Sequence, residues 1–310
     1  MNSKIYFKKL TLQIENQTMK NTLYYWSLIF GVFMLSACVP NQDANGDFLV
    51  GVDYGSNPNT DGGNNAVVKN VQKVTTVDMD GERIVATYRY TSNKITSVTS
   101  DNNSFKYTVL YSGNDISKMD YESVDELSGD KTVNSQTLTY TSGKLTSSKG
   151  VNKVNGAVVY NSATTYHYSG DKIKNIITKV KDESNTTELF TIQTDYTCSG
   201  SNVSVMKYTL SLSSSGPVTM DPVEITAAFS NYDAKKNPLN NLPLAFKLVS
   251  SHFDLENNVV SGLSLNNAVT TKVTTNLQSV TSTLKYTYDA DAYPVLGTSA
   301  NGTVAFEYVK

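Results

Sequence analysis

A short phrase returns along this chain at a fixed spacing. It begins with an aromatic residue, passes through a small residue and two turn formers, and ends on an apolar residue five positions on. It reads Tyr90-Thr91-Ser92-Asn93-Lys94-Ile95, then Tyr111-Ser112-Gly113-Asn114-Asp115-Ile116. It recurs as Tyr140-Thr141-Ser142-Gly143-Lys144-Leu145 and Tyr168-Ser169-Gly170-Asp171-Lys172-Ile173. Cys198-Ser199-Gly200-Ser201-Asn202-Val203 and Tyr288-Asp289-Ala290-Asp291-Ala292-Tyr293 are variants. In a β-hairpin with a two-residue loop, positions i and i+5 face each other across the strands when i+2 and i+3 form the turn. Tyr111 is therefore expected opposite Ile116, and Tyr168 opposite Ile173. Such aromatic to β-branched pairs contribute roughly 0.2–1 kcal/mol each. Glycine at the turn supplies the positive φ that type I′ and II′ turns require. Tyr88, Tyr166, Tyr196 and Tyr286 each stand two residues before a phrase. The period of two puts each on the same face as the residue that opens it.

The phrase returns every 21 to 30 residues, which is room for two strands and two turns. Asp80-Gly81, Asp101-Asn102-Asn103, Ser128-Gly129-Asp130, Asn155-Gly156 and residues 182–185 supply the turns at the opposite edge. Short turns at both edges imply neighbouring strands in an antiparallel meander. A composition with 20 tyrosines favours strands over helices. More than about ten strands in one open sheet curl or split. The expected fold is all-β: many hairpins curled into a strongly bent or barrel-like sheet, with one short helix at residues 242–249. Pro243 suits the first helical position there. The last strands are expected at residues 279–288 and 303–309.

The N-terminus reads as a targeting segment. Met19 is the expected start, and the apolar run at residues 24–35 has the length of a signal-peptide core, too short to span a bilayer. The run closes Leu35-Ser36-Ala37-Cys38, which resembles the lipobox of bacterial lipoproteins. By that resemblance Cys38 becomes the first mature residue and carries the lipid, with more than one acyl chain making the anchor stable. Three segments follow: a signal peptide over residues 1–37, a tether over 38–65 and a β-rich domain over 66–310. The tether is rich in Gly, Asn, Asp and Ser and would span roughly 30 Å r.m.s..

Further on, Tyr232-Asp233-Ala234-Lys235-Lys236-Asn237-Pro238-Leu239, Asn266-Asn267-Ala268-Val269-Thr270, residues 286–294 and Phe306-Glu307-Tyr308 form a second set of signatures. Over residues 70–310 they resemble uncharacterised β-rich lipoproteins of the Bacteroidota, with a domain of unknown function whose hairpins are similar to the YD repeats of Rhs proteins. Several phrases here carry Ser or Thr where the YD aspartate stands. The family brings no catalytic residues.

Candidate chemistry is sparse. Cys198 occupies the aromatic position of a phrase and reads as a small buried apolar residue. His167, between Tyr166 and Tyr168, is expected to face solvent. Asp78-Met79-Asp80-Gly81 and Asp289-Ala290-Asp291 superficially suggest calcium. Both lack the further oxygen ligands and distal Glu of an EF-hand loop, so they read as turns. No metal spacing, nucleophile elbow or phosphate loop is present, and no cofactor is expected. The net charge of −2 argues against nucleic acid. Tyrosines on an exposed face could grip a sugar or peptide, whereas most are expected in the core or in cross-strand pairs. The sequence thus points to a non-enzymatic envelope lipoprotein, held at the membrane, with the outer membrane expected, through Cys38. Its partner would be a glycan, a peptide or an envelope protein. A carrier with an apolar groove is the alternative reading, and a hydrolase comes last.

Overall fold

The computed structural model describes residues 68–125, 128–213, 221–253 and 262–309. The signal peptide, Cys38 and the tether lie outside them. Seventeen strands follow in chain order: β1 (Val71–Asp78), β2 (Arg83–Thr91), β3 (Lys94–Ser100), β4 (Phe105–Ser112), β5 (Asp115–Val124) and β6 (Lys131–Thr141). Then come β7 (Lys144–Val154), β8 (Ala157–Ser169), β9 (Lys172–Lys181), β10 (Glu188–Ser199), β11 (Asn202–Leu212) and β12 (Val223–Tyr232). After the helix α1 (Leu244–Phe253) the chain forms β13 (Ala268–Thr275), β14 (Ser279–Thr283), β15 (Lys285–Tyr288), β16 (Pro294–Ser299) and β17 (Gly302–Tyr308).

Except for β14 and β15, each strand pairs antiparallel with the next, and β17 returns to pair with β1, so the meander curls into a nearly closed barrel. The one seam lies between β14 and β15. These are the two halves of the strand expected at residues 279–288, separated at Leu284. β14 pairs with β13, β15 pairs with β16, and the Leu284 amide donates to the Val269 carbonyl at 2.8 Å. The upper rim carries the phrase turns, the start of β1, the end of β17 and the segment between β12 and β13. The lower rim carries the other turns.

The phrase hairpins have the expected register. Tyr90 faces Ile95, Tyr111 faces Ile116, Tyr140 faces Leu145, Tyr168 faces Ile173 and Cys198 faces Val203. Every one also carries a β-bulge just inside the turn. Its extra residue is Thr96, Ser117, Thr146, Lys174 or Ser204. A bulge bends its strand and increases the twist, so five along one rim help curl a long meander into a barrel. In four of them the bulge hydroxyl donates to the carbonyl across the pair: Thr96 to Arg89, Ser117 to Leu110, Thr146 to Thr139 and Ser204 to Thr197, at 3.1–3.3 Å. The variant at Tyr288 departs from expectation. Tyr288 pairs with Pro294, and a longer loop closes through the Asp289 amide donating to the Tyr293 carbonyl at 2.9 Å, with Ala292 at φ 65°.

The barrel has a filled interior. Tyr88, Ile95, Val98, Tyr107, Val109, Ile116, Met119, Ile176 and Met206 point inward and are buried. Helix α1 starts at Leu244 and runs to Phe253, so it begins and ends later than its apolar residues suggest. Pro243 precedes the helix as its cap and its carbonyl accepts the Lys247 amide at 3.1 Å. Residues Ala245 through His252 are all buried. Phe246 meets the edge of Tyr107 at 5.6 Å between ring centres, and burying a side chain of that size contributes roughly 1.5–3 kcal/mol. The helix is thus the central filler of the sheet.

Candidate functional site

At the upper rim, the polar residue of the phrase links one hairpin to the next. Lys94 Nζ donates to the Gly113 carbonyl at 2.6 Å and to Asn114 Oδ1 at 3.0 Å. Lys144 Nζ does the same to Gly170 and Asp171, each at 2.8 Å, and Lys172 reaches Gly200. The Lys94 and Lys144 ammonium groups also lie over the rings of Tyr111 and Tyr168, at 5.2 and 5.7 Å. Other tyrosines reach back to a neighbouring carbonyl. Tyr90 donates to Val71 at 2.9 Å, Tyr140 to Ile116 at 3.0 Å, and Tyr232 to Val203. Burial of Tyr90 and Tyr140 pushes their phenols well above the usual range, so these hydroxyls stay protonated donors.

The segment between β12 and β13 enters and leaves through a closed neck. Asp233 accepts from the Asn267 amide and side chain, each at 3.1 Å, and from the Tyr288 hydroxyl. Asn237 donates to the Asn266 carbonyl at 3.3 Å, and Asn266 to the Lys235 carbonyl at 3.0 Å. The signatures at residues 232–239 and 266–270 therefore tie this insertion to the rim. Beside it, Lys69 sits between Asp289 at 2.8 Å and Asp291 at 2.6 Å. Its backbone is held by Asn241 and Tyr293. The pair of aspartates that superficially suggested calcium thus holds the chain's own ammonium. The hydrogen bond that Lys69 donates to Asp289 raises the Lys69 pKa. Asp78 accepts the Asp80 and Glu82 amides at 3.0 and 2.8 Å, as a turn residue does.

Inside the barrel, α1 presents polar residues to a polar stripe. Gln136, Ser148, Thr164, Thr178 and Thr194 point inward from β6 to β10 and are buried. His252 Nε2 lies 2.8 Å from Thr178 Oγ1, and Nδ1 lies 2.8 Å from Thr194 Oγ1. Thr178 continues the chain to Thr164 at 2.7 Å. Burial lowers the His252 pKa to about 3. A neutral imidazole with both nitrogens engaged and 1% exposed holds the helix rather than moving protons. Lys247 is also buried and donates to the Asn240 carbonyl at 2.7 Å. Burial lowers its pKa to about 8.

The outside of the wall is mostly polar, with single apolar residues such as Leu110, Val158 and Leu296 exposed on it. Thr, Ser and Lys alternate outward, and ion pairs cross between strands from Lys73 to Glu307 at 3.4 Å and from Lys207 to Glu224 at 2.7 Å. Cys198 is half-buried against the core, and His167 is exposed, as their places in the phrase imply. Cys38 lies outside the described residues. Sequence reasoning missed His252, Lys247 and Lys69. Neither helix lysine nor histidine belongs to a motif, and Lys69 meets its aspartates only when the barrel brings positions 220 residues apart together.

No protein-family model and no curated protein matches the chain. Among solved structures it is similar to the crystal structure of a porin-like protein from Bacteroides vulgatus ATCC 8482. The identity is 16%, the TM-score is 0.50, and the match covers 78% of this chain and 99% of that one. At this identity the likeness is one of fold: a large antiparallel β-barrel.

Proposed function

We propose that this chain is a lipid-anchored barrel of the bacterial cell envelope that works by binding a glycan, a peptide or another envelope protein, without catalysis. The observation that carries the reading is the division between a filled interior and a polar wall. Helix α1 and the inward aromatics occupy the lumen, so the room that a hydrophobic-ligand carrier needs is taken up. The surfaces left for a partner are the wall and the rims. Outward Lys106, Lys149, Lys179 and Lys272 suit a wall facing water. In a lipid-facing wall each lysine would cost about 2–4 kcal/mol at the bilayer midplane. Membrane attachment then falls to Cys38, in keeping with the resemblance to β-rich lipoproteins. The site chemistry gives a hydrolase little support, because His252 has both ring nitrogens committed to threonines.

The test is fractionation of cells making the wild type and Cys38→Ala, together with labelling by a clickable fatty acid. The wild type should take up the label and sediment with membranes, and the variant should do neither. A variant that stays in the membrane fraction would overturn the anchored reading.

A further inference from the structure

We propose that the outward face of β7, β8 and β9 is a docking trough for a linear acidic polysaccharide, one carrying carboxylate or sulfate groups along its length. The proposal rests on the binding-module reading and names its ligand class. Residues 144–181, which span these strands and their turns, contain seven lysines and a single acid, Asp171, in a chain whose net charge is −2. The opposite charges are therefore spread over the rest of the molecule, and this part of the wall stands out as cationic.

The lysines form two rails. Lys149 and Lys153 stand exposed on β7, about 13 Å apart along the strand. Lys179 and Lys181 stand on β9, with Lys174 nearer the upper rim. Between the rails runs β8, whose outward residues Val158, Asn161, Ala163 and Thr165 carry no charge. Register places Ala163 between Lys149 and Lys179, so the rails lie two strand spacings apart, roughly 10 Å. The neighbouring acids are few: Asp171 pairs with Lys144 above, Glu188 on β10 pairs with Lys179 at 3.1 Å and stands opposite Lys181, and Asp195 stands opposite Asn175. Among the described residues no ion pair engages Lys149, Lys153 or Lys174.

A trough with low uncharged floor and cationic sides fits one extended polyanion lying along β8. A bilayer surface is a poorer fit, because interfacial binding adds Trp, Phe or Leu to the basic residues, whereas the outward apolar residues of this face are Val151, Val158, Ala163 and Ile177. Single-stranded nucleic acid is a poorer fit as well, because it needs aromatic side chains on which bases stack.

The test uses the full chain in neutral detergent and electrophoresis through gels containing polygalacturonate. The wild type should be retarded at low ionic strength and released near 0.5 M salt, where charge interactions are screened beyond a few ångströms. Replacing Lys149, Lys179 and Lys181 with Gln should weaken the retardation at least tenfold. The triple change Lys106→Gln, Lys118→Gln, Lys272→Gln removes equal charge elsewhere on the wall and should leave it nearly intact. Equal loss in both triple variants, or no retardation of the wild type, would overturn the proposal. So would tighter binding to phosphatidylglycerol vesicles or to a DNA oligonucleotide than to polygalacturonate. Such a failure with Cys38-dependent fractionation intact would sink the ligand class and leave the anchored reading standing.

Discussion

Gly113, Gly170 and Gly200 take φ values of 62°, 62° and 56°, with ordinary φ at the next residue, whereas Ser142 and Gly143 are both positive, at 51° and 75°. The phrase therefore uses two turn types. Glycine at the first turn position goes with one positive φ, as in type II′, and a serine there goes with two, as in type I′. A Cβ added at Gly170 would meet nothing within 4 Å, so its cost is backbone strain alone. Gly170→Val should lower stability by roughly 1–3 kcal/mol. Thr165→Val, outward on β8, should cost far less because valine suits a strand. Urea unfolding of both variants checks this, and equal midpoints would remove Gly170 from the tight turn. The residue pairing across these turns was legible from spacing. The bulges left a fainter trace. Inward residues after each turn stand three apart (Ile95 and Val98, Ile116 and Met119, Ile173 and Ile176, Val203 and Met206), and a regular strand cannot put both on one face.

Helix α1 shows why its length was harder to read. Apolar residues at 244–249 announce a helix, but its final turn is Ser250, Ser251 and His252, which look solvent-facing until β9 and β10 supply partners. Tyr196 meets Ser251 at 3.2 Å, and the two threonines bracket His252. This polar end fixes which strands the helix lies against, since any shift would leave buried hydrogen-bonding groups unmatched. The imidazole also makes stability depend on pH. The unfolded chain takes up a proton near pH 6.5, and the folded one does so only near pH 3. Between those values the unfolded state binds more protons, so stability falls with falling pH. The slope is on the order of 1.4 kcal/mol per pH unit from this residue. His252→Gln should be less stable at pH 7 yet show a flatter decline between about pH 6 and pH 3. Denaturation midpoints across that range decide it, and parallel curves would mean that His252 titrates normally.

At the scale of the whole molecule, the meander was readable because each hairpin is local, but its closure was not. No short-range signal says that β17 will pair with β1, from Val71 opposite Tyr308 to Asp78 opposite Gly302. The Val309 amide also donates to the Asn70 carbonyl at 2.8 Å, so residues 70 and 309 adjoin at the upper rim. A circular permutant that links residue 309 to residue 68 and opens between Asn155 and Gly156 should keep the fold, with a melting temperature within several degrees of the parent. A permutant that is molten by near-UV dichroism would mean that closure depends on the native chain order. Such closure also sets an order of events. A chain made from its N-terminus presents β1 before the other strands, but one edge of that strand has no partner until β17 is made. Until then both ends of the growing sheet offer unpaired backbone to other chains. Pairings this far apart in sequence form slowly. The ring therefore closes only once β17 has been made, and until then the meander is an open ribbon with two edges to protect.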